Sequence, residues 1–83
     1  MEFVIVVYRS RNMSMRVYNF LASQGVTCAL ISTPRNANVG CGLSVKLSKS
    51  DWANFREALA SAETFVGFFL MKNTFSGSTL VRL

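Results

Sequence analysis

The chain has no histidine, one proline, two cysteines and only four carboxylates among its 83 residues. Without histidine there is no Ser-His or Cys-His dyad and no Cys2His2 zinc site. Cys28 and Cys41, thirteen positions apart, form neither a zinc ribbon nor a CxxC redox pair. Glu2, Asp51, Glu57 and Glu63 are scattered, which argues against a carboxylate-pair hydrolase and against a magnesium site. The longest apolar runs, Phe3 to Tyr8 and Phe65 to Met71, are far too short to cross a bilayer. Glu2 and the strand-like run after it do not resemble the basic start of a signal peptide. These absences exclude most enzyme classes and leave a soluble cytoplasmic protein as the expectation, with no metal, cofactor or membrane in its chemistry.

What is present points to one globular domain. Apolar residues make up 51% of the chain and charged residues 16%, a balance that excludes a disordered chain. Six arginines and three lysines give a net charge of +5. That excess suits anionic partners, although no basic run concentrates it, and a solubilising surface accounts for it as well.

The hydrophobic pattern predicts a βαββαβ order. "EFVIVVY" is β-branched and aromatic, as a strand requires. Met13, Val17, Phe20 and Leu21 then recur at helical spacing, with Ser10 or Asn12 as the cap and Gly25 as the stop. "VTCALIS" is a second strand, with Cys28 buried at its middle, ended by Thr33-Pro34. "GLSVKL" alternates Leu43, Val45 and Leu47 with Ser44 and Lys46, the pattern of a strand with one buried face. Ser48 and Asp51 resemble a capping box ahead of a helix whose inner stripe is Trp52, Phe55, Leu59 and Ala62. "TFVGFFLMK" is the fourth strand.

Such an order predicts an α+β, ferredoxin-like two-layer sandwich, an antiparallel sheet with two helices on one face. It spans residues 1–72 and leaves 73–83 as a C-terminal tail with room for a short extra strand. In that topology the first strand's exit, the first helix's start and the connection from Ser32 to Leu43 share one end of the domain. Arg9, Arg11, Arg35 and Cys41 are expected to converge there. Both faces of the first and fourth strands read as apolar: Phe3, Ile5 and Val7 against Val4, Val6 and Tyr8, and Phe65, Phe69 and Met71 against Val66, Phe68 and Leu70. Helices cover only one face, so the other needs a cover, either the tail or a second copy in a homo-oligomer.

The chemistry rests on "TPRNANVGCGLSVKL", residues 33–47. Cys28, between Thr27 and Ala29, reads as a small hydrophobe. Cys41 stands between Gly40 and Gly42, which remove side-chain bulk and let a partner approach the sulfur. A helix start and converging arginines favour a thiolate there. A glycine-rich bulge that merely tolerates the cysteine explains the spacing too, and spacing alone leaves both readings open.

A strand ending in a short loop with Ser10, the helix ending "LASQGV" and then "ALISTPRNANVGCGLSVKL" resemble the selenium/sulfur carrier protein-like family. The resemblance runs from about Phe3 to Met71 and is carried most specifically by Pro-Arg, a spacer and Cys-Gly-Leu. It implies that Cys41 holds sulfur or selenium as a persulfide or selenopersulfide, with the family's Pro-Arg pair falling on Pro34 and Arg35; these two, together with the converging Arg9 and Arg11 and the flanking Gly40 and Gly42, are the residues expected to bind substrate or stabilise the thiolate. It also implies donor and acceptor proteins as partners, and it needs no general base, metal or bound cofactor. Asn36 to Val39 and the basic, apolar end of the chain depart from the family pattern.

Two other functions compete. An RNA-binding module would stack bases on central-strand aromatics, but "GLSVKL" has none and Tyr8 stands alone, so nucleic acid is disfavoured. A regulatory or scaffolding domain, paired through its sheet, would use the apolar face and the charge without the thiol.

Overall fold

A computed structural model describes residues 2–35, 37, 40–75 and 77–83, apart from the side chains of Thr74 and Ser78. The elements run β1 (Glu2–Tyr8), α1 (Arg11–Ser23), β2 (Cys28–Ser32), β3 (Leu43–Ser48), α2 (Lys49–Ala60), β4 (Phe65–Thr74) and β5 (Gly77–Arg82). Both helices start where a serine replaces a missing turn. Ser10 is extended and its hydroxyl accepts the amide of Met13 at 3.2 Å. Ser48 does the same for Asp51 at 3.1 Å, and its own hydroxyl donates to the Asp51 carboxylate at 2.9 Å. At the far end of α1, Gly25 turns to φ 78° and the amide of Val26 reaches back to Leu21 O at 3.0 Å.

The five strands form one antiparallel sheet in the order β2-β3-β1-β4-β5, giving an α+β fold. With β3 and β4 beside it and both faces covered, β1 is buried from its third residue to its end; Val4 to Tyr8 are no more than 1% exposed. This placement explains a run of five apolar residues with no polar alternation. Val4, Val6, Tyr8, Val45, Leu47, Phe68 and Leu70 pack with Val17 and Leu21 of α1 and Leu59 of α2. Both helices therefore bury their inner residues on one face of the sheet.

The opposite face has its own small core of Ile5, Val7, Phe69 and Ala37, with Ile31, Val66, Met71 and Leu80 against it. Part of its cover comes from the chain itself. Ala37, from the β2–β3 connection, is buried on it. From β5, the Arg82 guanidinium lies 5.5 Å from the Phe69 ring centroid and donates to Val66 O at 2.7 Å.

Three boundaries differ from expectation. Phe65 sides with the helix-facing core and Val66 with the other face, the reverse of strict alternation, because a bulge intervenes: Tyr8 pairs with Phe65 but Val7 with Gly67. Cys28 begins β2 rather than lying at its middle and is half-buried, because its partner Leu47 is followed by Ser48, which already caps α2. Finally, β4 runs past Lys72 to Thr74, since pairing of Asn73 with Ser78 and Thr74 with Gly77 carries it into the turn before β5.

Candidate functional site

The thiol of Cys41 sits where the exit of β1, the first turns of α1 and the start of β3 meet. The connection from β2 is closed at its base by the amide of Thr33 donating to Gly42 O at 2.9 Å, and by a hydrogen bond between the hydroxyls of Thr33 and Ser44. Pro34 O accepts the amide of Ala37 at 3.1 Å, a tight turn that directs Ala37 onto the outer sheet face. Asn36, Asn38 and Val39 lie outside the described residues. The chain then returns to β1, where the amide of Cys41 donates to Tyr8 O at 3.1 Å.

The two glycines have different reasons for being there. Both are left-handed, Gly40 at φ 84° and Gly42 at φ 87°. A Cβ on Gly40 would also lie 2.5 Å from Val7 Cγ1 and 2.8 Å from Tyr8 O, whereas one on Gly42 would meet nothing. Gly40 thus lets the connection press against β1, and Gly42 supplies only the turn into β3. Between them Cys41 is half-buried, its Sγ 3.5 Å from Leu43 O and 4.0 Å from Ser14 Oγ.

Ser14 is a member of this site that the residue pattern does not single out as functional. It is fully buried in α1, and its hydroxyl donates to Leu43 O at 2.9 Å, with Ser10 O more distant at 3.4 Å. The signal is present in the helical spacing: Ser14, Val17 and Leu21 fall on one stripe, so a serine occupies a position that packs inward.

The arginines are arranged less tightly than the thiol. Arg9 donates from its guanidinium to Glu63 O at 3.0 Å and from its amide to Thr64 O at 2.8 Å, which ties it to the turn before β4. Arg11 opens α1 and Arg35 follows Pro34; both are exposed. Neither side chain forms a hydrogen bond or ion pair with another described residue, and none of the three hydrogen-bonds to Cys41.

The other cysteine has different surroundings. Cys28 Sγ lies 3.8 Å from Tyr18 O on the helix side of the sheet. It borders a shallow opening of about 210 Å³, whose rim includes Lys46 and Asp51. Burial, and after it the negative charge of Asp51, pushes its thiol pKa up. Tyr8, whose hydroxyl donates to Leu59 O at 2.7 Å, has its phenol pushed up by burial as well.

Among the described residues no three His, Cys, Asp or Glu side chains gather to hold a metal ion, and no helix is long and apolar enough to cross a membrane. The site is thus a single half-exposed thiol on a glycine-flanked connection of a small α+β domain. The chain belongs to the family described as "Putative Se/S carrier protein-like", whose model matches residues 3–66 and so includes all of this site. No curated protein and no solved structure matches it.

Proposed function

We propose that the chain is a sulfur or selenium carrier that holds its cargo on Cys41 between a donor and an acceptor protein. The observation that carries this reading is the family match across residues 3–66, together with a thiol held at the surface by two left-handed glycines. In the loading step the Cys41 thiolate attacks the outer sulfur of a donor persulfide. A new S–S bond forms on Cys41, the donor's S–S bond breaks, and the donor leaves as a thiolate with the electron pair. Unloading is the same exchange with the acceptor's thiolate as attacker, so neither step needs an oxidant or a base. A selenopersulfide follows the same balance.

Several finer features belong to this reading. Its ferredoxin-like unit, expected over residues 1–72, is supported by the order β2-β3-β1-β4; β4 carries that unit to Thr74, and β5 is the strand appended to it. Pro34, Gly40 and Gly42 shape the connection that presents the thiol. Arg9, Arg11 and Arg35 supply positive charge around it for an acidic partner surface. The cytoplasm is its expected compartment, and a homo-oligomer would form through the outer sheet face.

Incubation with a cysteine desulfurase and cysteine, followed by intact-mass measurement, should add about 32 Da, one sulfur atom, per chain. Cys28→Ser should load like the parent, and Cys41→Ser should not load at all. Loading that survives Cys41→Ser and vanishes in Cys28→Ser would sink the assignment.

A further inference from the structure

We propose that Ser14 is the positioning residue for the Cys41 sulfur: its hydroxyl turns from the Leu43 carbonyl to the sulfur when that sulfur loses its proton. As a role in sulfur transfer this rests on the carrier reading above; as a partner of the thiolate it stands on the geometry alone.

The protons available at the site decide the matter. Ser14 Oγ, Cys41 Sγ and Leu43 O form a triangle with separations of 2.9, 3.5 and 4.0 Å. In the thiol form the triangle holds two protons, and the carbonyl, with two lone pairs, accepts both. Removal of the thiol proton leaves an anionic sulfur 3.5 Å from a carbonyl oxygen, two acceptors facing each other. One proton remains in the triangle, on Ser14. Rotation about the Cβ–Oγ bond brings it to the sulfur, and a small turn of Cys41 χ1 closes the 4.0 Å gap to a charge-assisted bond.

Among the described residues Ser14 is the one side chain with a donor that reaches the Cys41 sulfur. Arg9 is tied to Glu63 O, and the Arg11 and Arg35 side chains are exposed without a hydrogen bond to Cys41. The Tyr8 hydroxyl is engaged with Leu59 O in the core between sheet and helices. Ser14 is fully buried, so water does not replace its hydroxyl. Its position on the inner stripe of α1, where an apolar residue would pack, is explained by this polar duty. The loaded forms have no S–H on the Cys41 sulfur either, so the same hydroxyl serves before and after transfer.

The test uses the full chain in a Cys28→Ser background, so that Cys41 is the only thiol. Ser14→Ala and Ser14→Thr are compared with the parent for the second-order rate of iodoacetamide alkylation at pH 7 and at pH 10. Ser14→Ala should react about fivefold more slowly at pH 7 and at the parent's rate at pH 10, above the free-cysteine value of about 8.5. Ser14→Thr, which keeps the hydroxyl, should stay within about twofold of the parent at both values. A merely structural role would lower both rates alike, because a displaced thiol stays displaced. Equal rates for Ser14→Ala and parent at pH 7, or the same deficit at pH 10, would overturn the proposal. Sulfur loading of the parent separates the two claims. A parent that shows the Ser14 effect but takes up no sulfur fails as a carrier while the thiolate role stands. One that loads normally while Ser14→Ala alkylates like the parent leaves the carrier reading and removes Ser14 from it.

Discussion

Cys28 and Cys41 are both free and both half-buried, so exposure does not tell them apart; the backbone beneath them does. Cys28 stands on a regular strand, paired with Leu47, with burial and Asp51 holding its thiol protonated. Cys41 stands between two left-handed glycines, and its amide is fastened to Tyr8 O. A cysteine in a strand is presented as its neighbours are, whereas one on such a connection can be aimed independently of the sheet. Local chain conformation thus marks the reactive candidate better than burial does.

The largest effect that would break the comparison comes from the connection itself. Gly40→Ala should cost about 3 kcal/mol, because a Cβ there meets Val7 and Tyr8 O and the backbone is left-handed as well. Gly42→Ala should cost only about 1 kcal/mol, for conformation alone. Urea unfolding of both variants checks this. Equal losses would mean that contact with β1 is not what seats the Cys41 connection.

A middle-sized effect concerns Tyr8, which serves both regions: its carbonyl holds Cys41 and its ring lies in the core that Cys28 borders. Tyr8→Phe should lose about 1 kcal/mol at neutral pH through the bond to Leu59 O. It should also flatten the alkaline limb of stability. The folded phenol pKa is raised, so its contribution is complete below the unfolded value of about 10 and is lost as pH rises from there toward the folded value. Above about pH 10 the unfolded chain binds fewer protons than the folded one, and stability falls. Denaturant midpoints between pH 8 and 11 should therefore drop more steeply in the parent than in Tyr8→Phe.

The smallest effect sharpens the contrast from the other side. Asp51→Asn removes the charge that adds to burial at Cys28 while keeping an oxygen for Ser48. Alkylation of Cys28 near neutral pH should rise by about twofold, with Cys41 unchanged. Differential labelling followed by peptide mapping reads both thiols in one sample. A larger gain at Cys41 than at Cys28 would reverse the assignment of that charge.

Much of this arrangement is legible in the order of the residues. Ser10, Gly25 and Ser48 announce helix ends by chemistry that acts within a few residues, and they stand where expected. The all-apolar run of β1 marks a strand covered on both faces. What stays hidden depends on contacts distant in sequence. The bulge that sends Phe65 to the helix side exists only in the pairing of β4 with β1. The early end of the β2 pairing is set by a cap on α2. Ser14 reads as an ordinary helix residue until Leu43 O and Cys41 Sγ are brought beside it. The Arg9 side chain is drawn to Glu63 O, a partner more than fifty positions away.

Ala37 and Leu43 bound the reach of the thiol. Ala37 is buried on the outer face and Leu43 begins β3, so Cys41 is leashed on both sides. Even with its amide released from Tyr8 O, two residues of chain before β3 let it travel at most about 7 Å from its anchor. This is no swinging arm that visits distant centres. On the carrier reading proposed above, a donor or acceptor would have to come to the β1–α1 junction and dock there, and the surface around the thiol would select it.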